Sequence, residues 1–285
     1  MSDALNQVIE LLELERLEND CFLGQSQDLG WKAVYGGQLL AQGLRAGQYT
    51  VDEELRANSI QAYFVKRAWA TAPVTYKVER MHDGRSFSFR RIQAYQENAL
   101  IFSMQIGFHR PEEGLAYTEV REVVGVPDDF VSEREIALEN EERYPAFFRS
   151  HAQRERAFEM RPVVDWNPFE EEKLSPYRGF WCRSNGDIPD DSTLHQCLLL
   201  WMSDGPILMT ALFPHGTSWV DPKMQITSLD HVFWFHRSVL VDDWFFYSMK
   251  SPISAYARGF VRGEIIQNGQ LISSVMQEGL MRKRN

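Results

Sequence analysis

Cysteine is scarce in this chain. Cys21, Cys182 and Cys197 are the three present in 285 residues, an odd number with no C-x-x-C spacing. That excludes a disulfide framework and a thiolate zinc knuckle, and fits buried free thiols in a reducing cytoplasm. Long apolar runs are missing as well: none approaches the roughly 18 residues of a membrane span, and no basic segment followed by an apolar one opens the sequence. Neither a span nor a secretory signal is expected. Positive charge is in deficit, with 30 Lys and Arg against 40 Asp and Glu and a formal net charge of −10. Wholesale binding to DNA or to anionic lipid is therefore excluded, while a small anionic ligand held by a few local arginines is not. Two catalytic signatures are also lacking, the H-E-x-x-H of zinc proteases and the G-x-S-x-G elbow of serine hydrolases. His215, His231 and His236 have no metal-ligand spacing and read as structural.

What the chain does have is aromatic residues in strand-like alternation. Ser228 to Arg237, SLDHVFWFHR, alternates polar and large apolar residues as a half-buried strand does. A fainter copy lies 170 residues earlier, with Gln61 to Arg67 under His231 to Arg237. The likeness runs on at a spacing of 171, which sets Tyr76 under Tyr247, Phe89 under Phe260 and Arg91 under Arg262. One further residue of slip puts Gln105 under Gln277 and Gly107 under Gly279. A repeat this long is a duplicated domain, since a solenoid would repeat every 20 to 50 residues or so. The expected layout is a first unit over 1–110, a connector over 111–176 and a second unit over 177–285.

In chain order, Leu5, Val8, Ile9, Leu12 and Leu14 predict a helix within 2–18, capped by Ser2 or Asp3. A second helix, 38–48, follows Tyr35-Gly36-Gly37. Glycines at a helix start suit either close packing or a ligand's approach to free backbone N–H groups. From Ser59 to Phe108 the pattern is an antiparallel meander, with turns at 82–85 and 96–98. Ser132 and Glu135 form a capping box, predicting a surface helix over 133–143. In the second unit a helix from His195 should stop at Asp204-Gly205-Pro206. Strands are expected at 207–213, 226–237, 244–251, 256–266 and 270–282. Each unit is thus a helix wrapped by an antiparallel sheet, an α+β fold.

Three residues could carry chemistry. Asp204, in the last turn of the predicted helix, would face the negative end of the helix dipole at a cost of about 0.3–1 kcal/mol. That placement suits a general base, and equally a surface stop residue. Gln277 sits in an inward-facing, largely apolar strand row, where a primary amide needs partners or a ligand. Ser228 offers a hydroxyl at a strand start. Asp230 and His231 do not complete a triad with it, because neighbours on a strand face opposite ways. No acidic residue occurs between Tyr35 and Gln48, and Asn58 stands where the second unit has Ser228, so only the second unit would hold the full set.

Several segments together resemble a known family: GQSQDLG at 24–30, VYGGQLLAQ at 34–42, HDGRSFSFRR at 82–91, PDDSTLHQCLL at 189–199, SLDHVFWFHR, ARGFVRGE at 257–264 and VMQEGLMR at 275–282. The chain resembles bacterial acyl-CoA thioesterase II, the TesB-like family of double hot-dog proteins. The resemblance implies two hot-dog units paired within one chain, assembly of chains into a homo-oligomer, and no metal or organic cofactor. It implies hydrolysis of acyl-CoA by water activated by Asp204, Ser228 and Gln277, without a covalent intermediate. Ser228 departs from the threonine of bacterial members but keeps the hydroxyl. Gly36, Gly37, Arg258 and Arg262 are the candidate substrate-binding residues, the arginines belonging to a cationic cluster with Arg282, Lys283 and Arg284. The competing readings are a hot-dog dehydratase or isomerase, and a non-catalytic acyl-CoA-binding module.

Overall fold

The computed structural model of the chain describes residues 1–119, 121–144 and 153–284; the expected connector's residues 145–152 lie outside that description. Helix α1 spans Asp3–Leu11, and the Ser2 hydroxyl caps it by accepting the Leu5 N–H at 3.1 Å. It is shorter than 2–18, and Leu12 and Leu14 enter the core from beyond its end. Strands β1 (Glu15–Arg16) and β2 (Cys21–Gly24) precede helix α2, Gly36–Gln48. Four strands follow, β3 (Arg56–Phe64), β4 (Val74–Asp83), β5 (Phe87–Gln96) and β6 (Ala99–His109), of which β4, β5 and β6 form a meander while β3 pairs with β6 rather than with β4, a correction to the expected meander over 59–108. Glu97 and Asn98, at φ 46° and 66°, make the tight left-handed turn from β5 to β6. Helix α3 occupies Glu133–Glu139 with the expected capping box, and Glu141–Arg143 continues it as a 3-10 turn.

The second half holds β7 (Phe158–Pro162), β8 (Tyr177–Ser184), helix α4 (Ser192–Ile207), β9 (Met224–Ser228), β10 (Asp230–Phe235), β11 (Phe245–Ala255), β12 (Arg258–Gln267) and β13 (Gln270–Lys283). Strand β7 falls within the expected connector and pairs with β8. Three expectations are corrected here. Asp204-Gly205-Pro206 does not end the helix: α4 runs on to Ile207 and continues as a 3-10 helix over Leu208–His215. The expected strand at 207–213 is that 3-10 helix. Proline removes one N–H, but Ile207, Leu208, Ala211 and Leu212 are all buried, and that burial outweighs one lost hydrogen bond. The run 226–237 is also two strands, broken at Leu229, with β9 pairing only to β13 and β10 bridging β13 and β3.

One antiparallel sheet joins everything, in the order β1-β2-β4-β5-β6-β3-β10-β13-β12-β11-β8-β7. The order is a mirror image about the β3–β10 seam, where Gln61 pairs with Val232, Ile60 with Phe233 and Ser59 with Trp234. The ladders then fix which residues are equivalent. Gln61 pairs with Gln105, and Gln105 with Arg91; Val232 pairs with Met276, and Met276 with Arg262. The two units therefore match at a spacing of 171 in β3 and β6 as well, 232 against 61 and 276 against 105. The 170 and 172 spacings expected from the sequence are each off by one. Burial agrees, for Gln61 and Gln105 are exposed while His231 and Gln277 are fully buried. A one-residue slip would put these pairs on opposite faces. Helices α2 and α4 pack on each other and are enclosed by the two half-sheets, the double hot-dog arrangement the resemblance implies.

Candidate active site

The site is assembled where the start of α2 meets α4. Asp204 lies in α4 and is 7% exposed. Because α4 continues past it, the carboxylate does not face its own helix's negative end as expected. It lies instead against the N-terminus of α2, where the Gly37 N–H bonds to it and the dipole favours an anion. Glycine is required there by contact: a Cβ at Gly36 would stand 2.6 Å from Asp204 Oδ2, and one at Gly37 would overlap the Trp201 carbonyl oxygen and the Tyr35 ring. The two glycines thus serve close packing of helix on helix. Tyr35 donates its hydroxyl to Trp201 O at 2.8 Å, and Tyr247 donates to Ser203 O at 3.1 Å, so the turn of α4 that leads into Asp204 is braced from the start of α2 and from β11.

Gln277, fully buried on β13, donates through Nε2 to Asp204 Oδ1 at 2.6 Å. Ser228, the last residue of β9, donates to the same oxygen at 3.3 Å. Three residues far apart in sequence converge on one carboxylate. Burial raises the Asp204 pKa to about 6, and the hydrogen bonds from Gln277, Ser228 and Gly37 offset part of that rise. The arrangement offers a buried base with a pKa close to neutrality, supported by two fixed side-chain donors. The Gln277 Oε1 atom is buried without a hydrogen-bond partner among the described residues, a deficit of about 1–3 kcal/mol that a bound ligand or water would remove.

A fourth polar residue, His231, was read as structural and stands in the same cluster. It is fully buried on β10, its Nδ1 is 3.9 Å from Asp204 Oδ1, and its Nε2 is 3.0 Å from the Ser203 hydroxyl. The signal that would have found it is its place in the repeat. At the 171 spacing, Ala57 stands for Ser228, Ile60 for His231 and Ile106 for Gln277, and all three are buried. The strand positions that are polar in the second unit are apolar in the first. The largest inward-facing polar side chain of the first unit's sheet is instead Arg90, at the place of Val261. Its guanidinium is consumed by Thr50 Oγ1, the Thr50 and His82 carbonyls and the Asp83 carboxylate. Asn58, matched with Ser228 from the sequence, falls in the bulge between Ala57 and Ser59.

Arg258 and Arg262 are not brought to this cluster. Val261 pairs with Gln277 and shares its face, so both arginines project from the opposite, solvent-facing side of β12, where Arg258 bonds Glu278 at 2.9 Å. Among the described residues no group of three or more His, Cys, Asp or Glu could hold a metal ion. One helical run, Ser192–His215, is long and apolar enough to cross a membrane, but it is mostly buried between α2 and the sheet.

Comparison with known proteins places the chain in one family. A family model described as acyl-CoA thioesterase matches residues 148–280, and one described as acyl-CoA thioesterase N-terminal domain matches residues 27–109. The chain is 36% identical to "Acyl-CoA thioesterase 2" of Haemophilus influenzae, over 99% of both chains. It superposes on the crystal structure of acyl-CoA thioesterase II TesB2 from Mycobacterium marinum with a TM-score of 0.79, at 30% identity and covering 98% of this chain and 99% of that one. A hot-dog protein of unknown function from Alicyclobacillus acidocaldarius, 14% identical, shares the fold over the whole of both chains with a TM-score of 0.77. With a relative this similar over its full length, the chain belongs to the acyl-CoA thioesterase family.

Proposed function

We propose that the chain hydrolyses fatty acyl-CoA to the free acid and CoA by direct attack of water, with Asp204 as the base. The observation that carries this reading is the convergence of Gln277 Nε2 and Ser228 Oγ on Asp204 Oδ1 in a site where burial raises the carboxyl pKa to about 6. A carboxylate of that strength is ionised at neutral pH, yet accepts a proton more readily than an exposed aspartate. The attacking water gives one hydrogen to Asp204 and directs the other to Gln277 Oε1, which has no other hydrogen-bond partner among the described residues. Its remaining lone pair faces the thioester carbon. Ser228 and Gln277 fix the carboxylate so that the water is held in one orientation. The positive end of α2 favours the negative charge that grows on the thioester oxygen. Collapse of the tetrahedral species expels the CoA thiolate, and the proton held by Asp204 passes to it.

The first test is thiol release from palmitoyl-CoA followed with a thiol-reactive dye. Asp204→Asn keeps the shape and removes the proton acceptor, so kcat falls about 10²–10⁴-fold with KM little changed. Near wild-type turnover by a folded Asp204→Asn protein would sink the mechanism. The dehydratase reading paired His231 with Asp230, but Asp230 faces away from His231 and accepts the Glu278 N–H instead. A binding module has no need of a base with a raised pKa. The free, mostly buried cysteines support a cytoplasmic setting, and lipid metabolism follows from the substrate class. Assembly into a homo-oligomer completes the proposal.

A further inference from the structure

In the unit that lacks Asp204, Ile60 occupies the place of His231, so the fold accepts an apolar side chain at this position. The histidine occurs only beside the carboxylate. Its protonation is settled by its neighbours. The Ser203 hydroxyl has one hydrogen, which it donates to Leu200 O at 2.9 Å within α4. Its oxygen therefore accepts from His231, and Nε2 carries the imidazole hydrogen. The other nitrogen, Nδ1, is left with a lone pair, has no hydrogen-bond partner among the described residues, and lies 3.9 Å from Asp204 Oδ1. That is about 1 Å beyond hydrogen-bond length. A charged imidazolium is not an alternative, since burial lowers the His231 pKa to about 3.

We propose that His231 is a positioning residue for the base: held by Ser203 in the tautomer that bares Nδ1, it withholds a donor from the ionised Asp204 and offers an acceptor to the protonated one. The inference rests on Asp204 taking the proton from water. In that step the O–H bond of water breaks, the hydroxide adds to the thioester carbon, and the proton binds Asp204. The new carboxyl O–H then turns to His231 Nδ1, which stabilises the acid form and makes the carboxylate a stronger base. Had the imidazole carried its hydrogen on Nδ1, it would have stabilised the anion and weakened the base.

The other groups facing the pair do not titrate near neutrality. Tyr35 from the start of α2, Tyr247 from β11 and, behind it, Cys182 from β8 are each buried and pushed up by that burial, and so remain neutral. Ser228 and Gln277 do not ionise, and Asp230 and Glu278 lie on the opposite face of the sheet. An acid limb near the Asp204 value therefore reports the Asp204–His231 pair.

The test is the pH profile of kcat/KM for the full chain carrying Ser203→Ala or His231→Gln. Ser203→Ala removes the acceptor that fixes the tautomer and lets Nδ1–H turn to Asp204. His231→Gln keeps a polar group toward Ser203 and removes the Nδ1 acceptor. In both, the acid limb moves down by about one pH unit and the plateau falls about tenfold, with KM within twofold of wild type. The infrared carbonyl band of the protonated Asp204, absent in Asp204→Asn, titrates at correspondingly lower pH in Ser203→Ala, the milder change and the one to rely on if His231→Gln does not fold. A limb and a carbonyl titration both unmoved, with activity lowered equally at all pH, would make His231 merely structural and overturn the inference. Asp204→Asn run alongside separates the two readings: an active Asp204→Asn protein overturns the base itself, whatever the histidine variants do.

Discussion

Asp204 carries both the chemistry and a cost. Its carboxyl has a pKa of about 6 in the folded chain against an ordinary value of 3.8. Below pH 4 both folded and unfolded chains hold the proton and nothing is lost. Between about 4 and 6 the folded chain keeps a proton that the unfolded chain has released, so stability falls as pH rises through that window. Above it the charged form is disfavoured by about 3 kcal/mol in the fold, the free-energy equivalent of the rise from 3.8 to about 6. Asp204→Asn, which removes the charge and keeps an acceptor for Gln277, should therefore raise Tm at pH 7.5 while lowering kcat about 10²–10⁴-fold. Equal or lower Tm would show that the carboxylate is not held at a cost. Gln277→Ala should lower kcat about tenfold to a hundredfold by removing the 2.6 Å donor and the Oε1 acceptor, and Ser228→Thr should be nearly silent because the hydroxyl is kept. Steady-state kinetics on the two variants check both. These three residues were readable as candidates from the sequence because each is a polar group out of keeping with its neighbours. His231 was not, since its neighbours suggested only a strand, and its place in the repeat marks it only once the ladders have fixed the spacing at 171 and set Ile60 in its place.

At the scale of elements, α4 is the part the sequence misrepresents. Asp-Gly-Pro is a stop signal when the chain beyond it is polar; here Ile207 to Phe213 is an apolar run that helix and strand could equally explain. The interior decides for helix, because Gly259 and Gly279 leave room for Ala211 and Leu208 to press onto the sheet. The 170-residue alignment of β3 with β10 fails for a related reason. It matched aromatic with aromatic, Tyr63 with Phe233 and Phe64 with Trp234, although Tyr63 is exposed and Phe233 is buried. Chemical likeness is weaker information than the side of the sheet on which a residue falls. The meander, the capping box and the start of α2 were legible because turns and caps have local causes. Gly37 shows what the helix crossing tolerates. A methyl there would overlap the Trp201 carbonyl and the Tyr35 ring, so Gly37→Ala must separate α2 from α4. It should lower Tm by several degrees, for a loss of about 1–3 kcal/mol, and reduce kcat by more than the stability loss explains, because the Gly37 N–H moves away from Asp204. Thermal unfolding and kinetics on the same preparation test this; wild-type values for both would mean that the crossing is looser than the contacts indicate.

The whole molecule is a dimer folded into one chain, and its seam decides what each half can do alone. Strand β3 is hydrogen bonded along one edge to β6 and along the other to β10, from Tyr63–Asp230 to Ser59–Trp234. Cutting the chain at residue 110 would leave that edge open and strip α4 from α2, whose residues Leu39, Leu40, Leu44 and Ala46 are all buried. It would also remove the partners of Arg45, Gln48 and Arg56 at the start of α4, Ser192 and Thr193. An open strand edge beside an uncovered apolar helix does not persist as a monomer in water. The segment 1–110 should therefore be unfolded or self-associated when expressed alone, by sedimentation and denaturant titration. A self-associated form has an obvious geometry, two copies meeting at β3 about the axis that Gln61 and Val232 now share. Such a dimer should fold and yet hydrolyse no acyl-CoA, because Ala57, Ile60 and Ile106 would fill both of its sites. A cooperatively unfolding monomer of 1–110 would contradict the dependence of one half on the other. An active dimer of it would contradict the assignment of the chemistry to Asp204, Ser228 and Gln277.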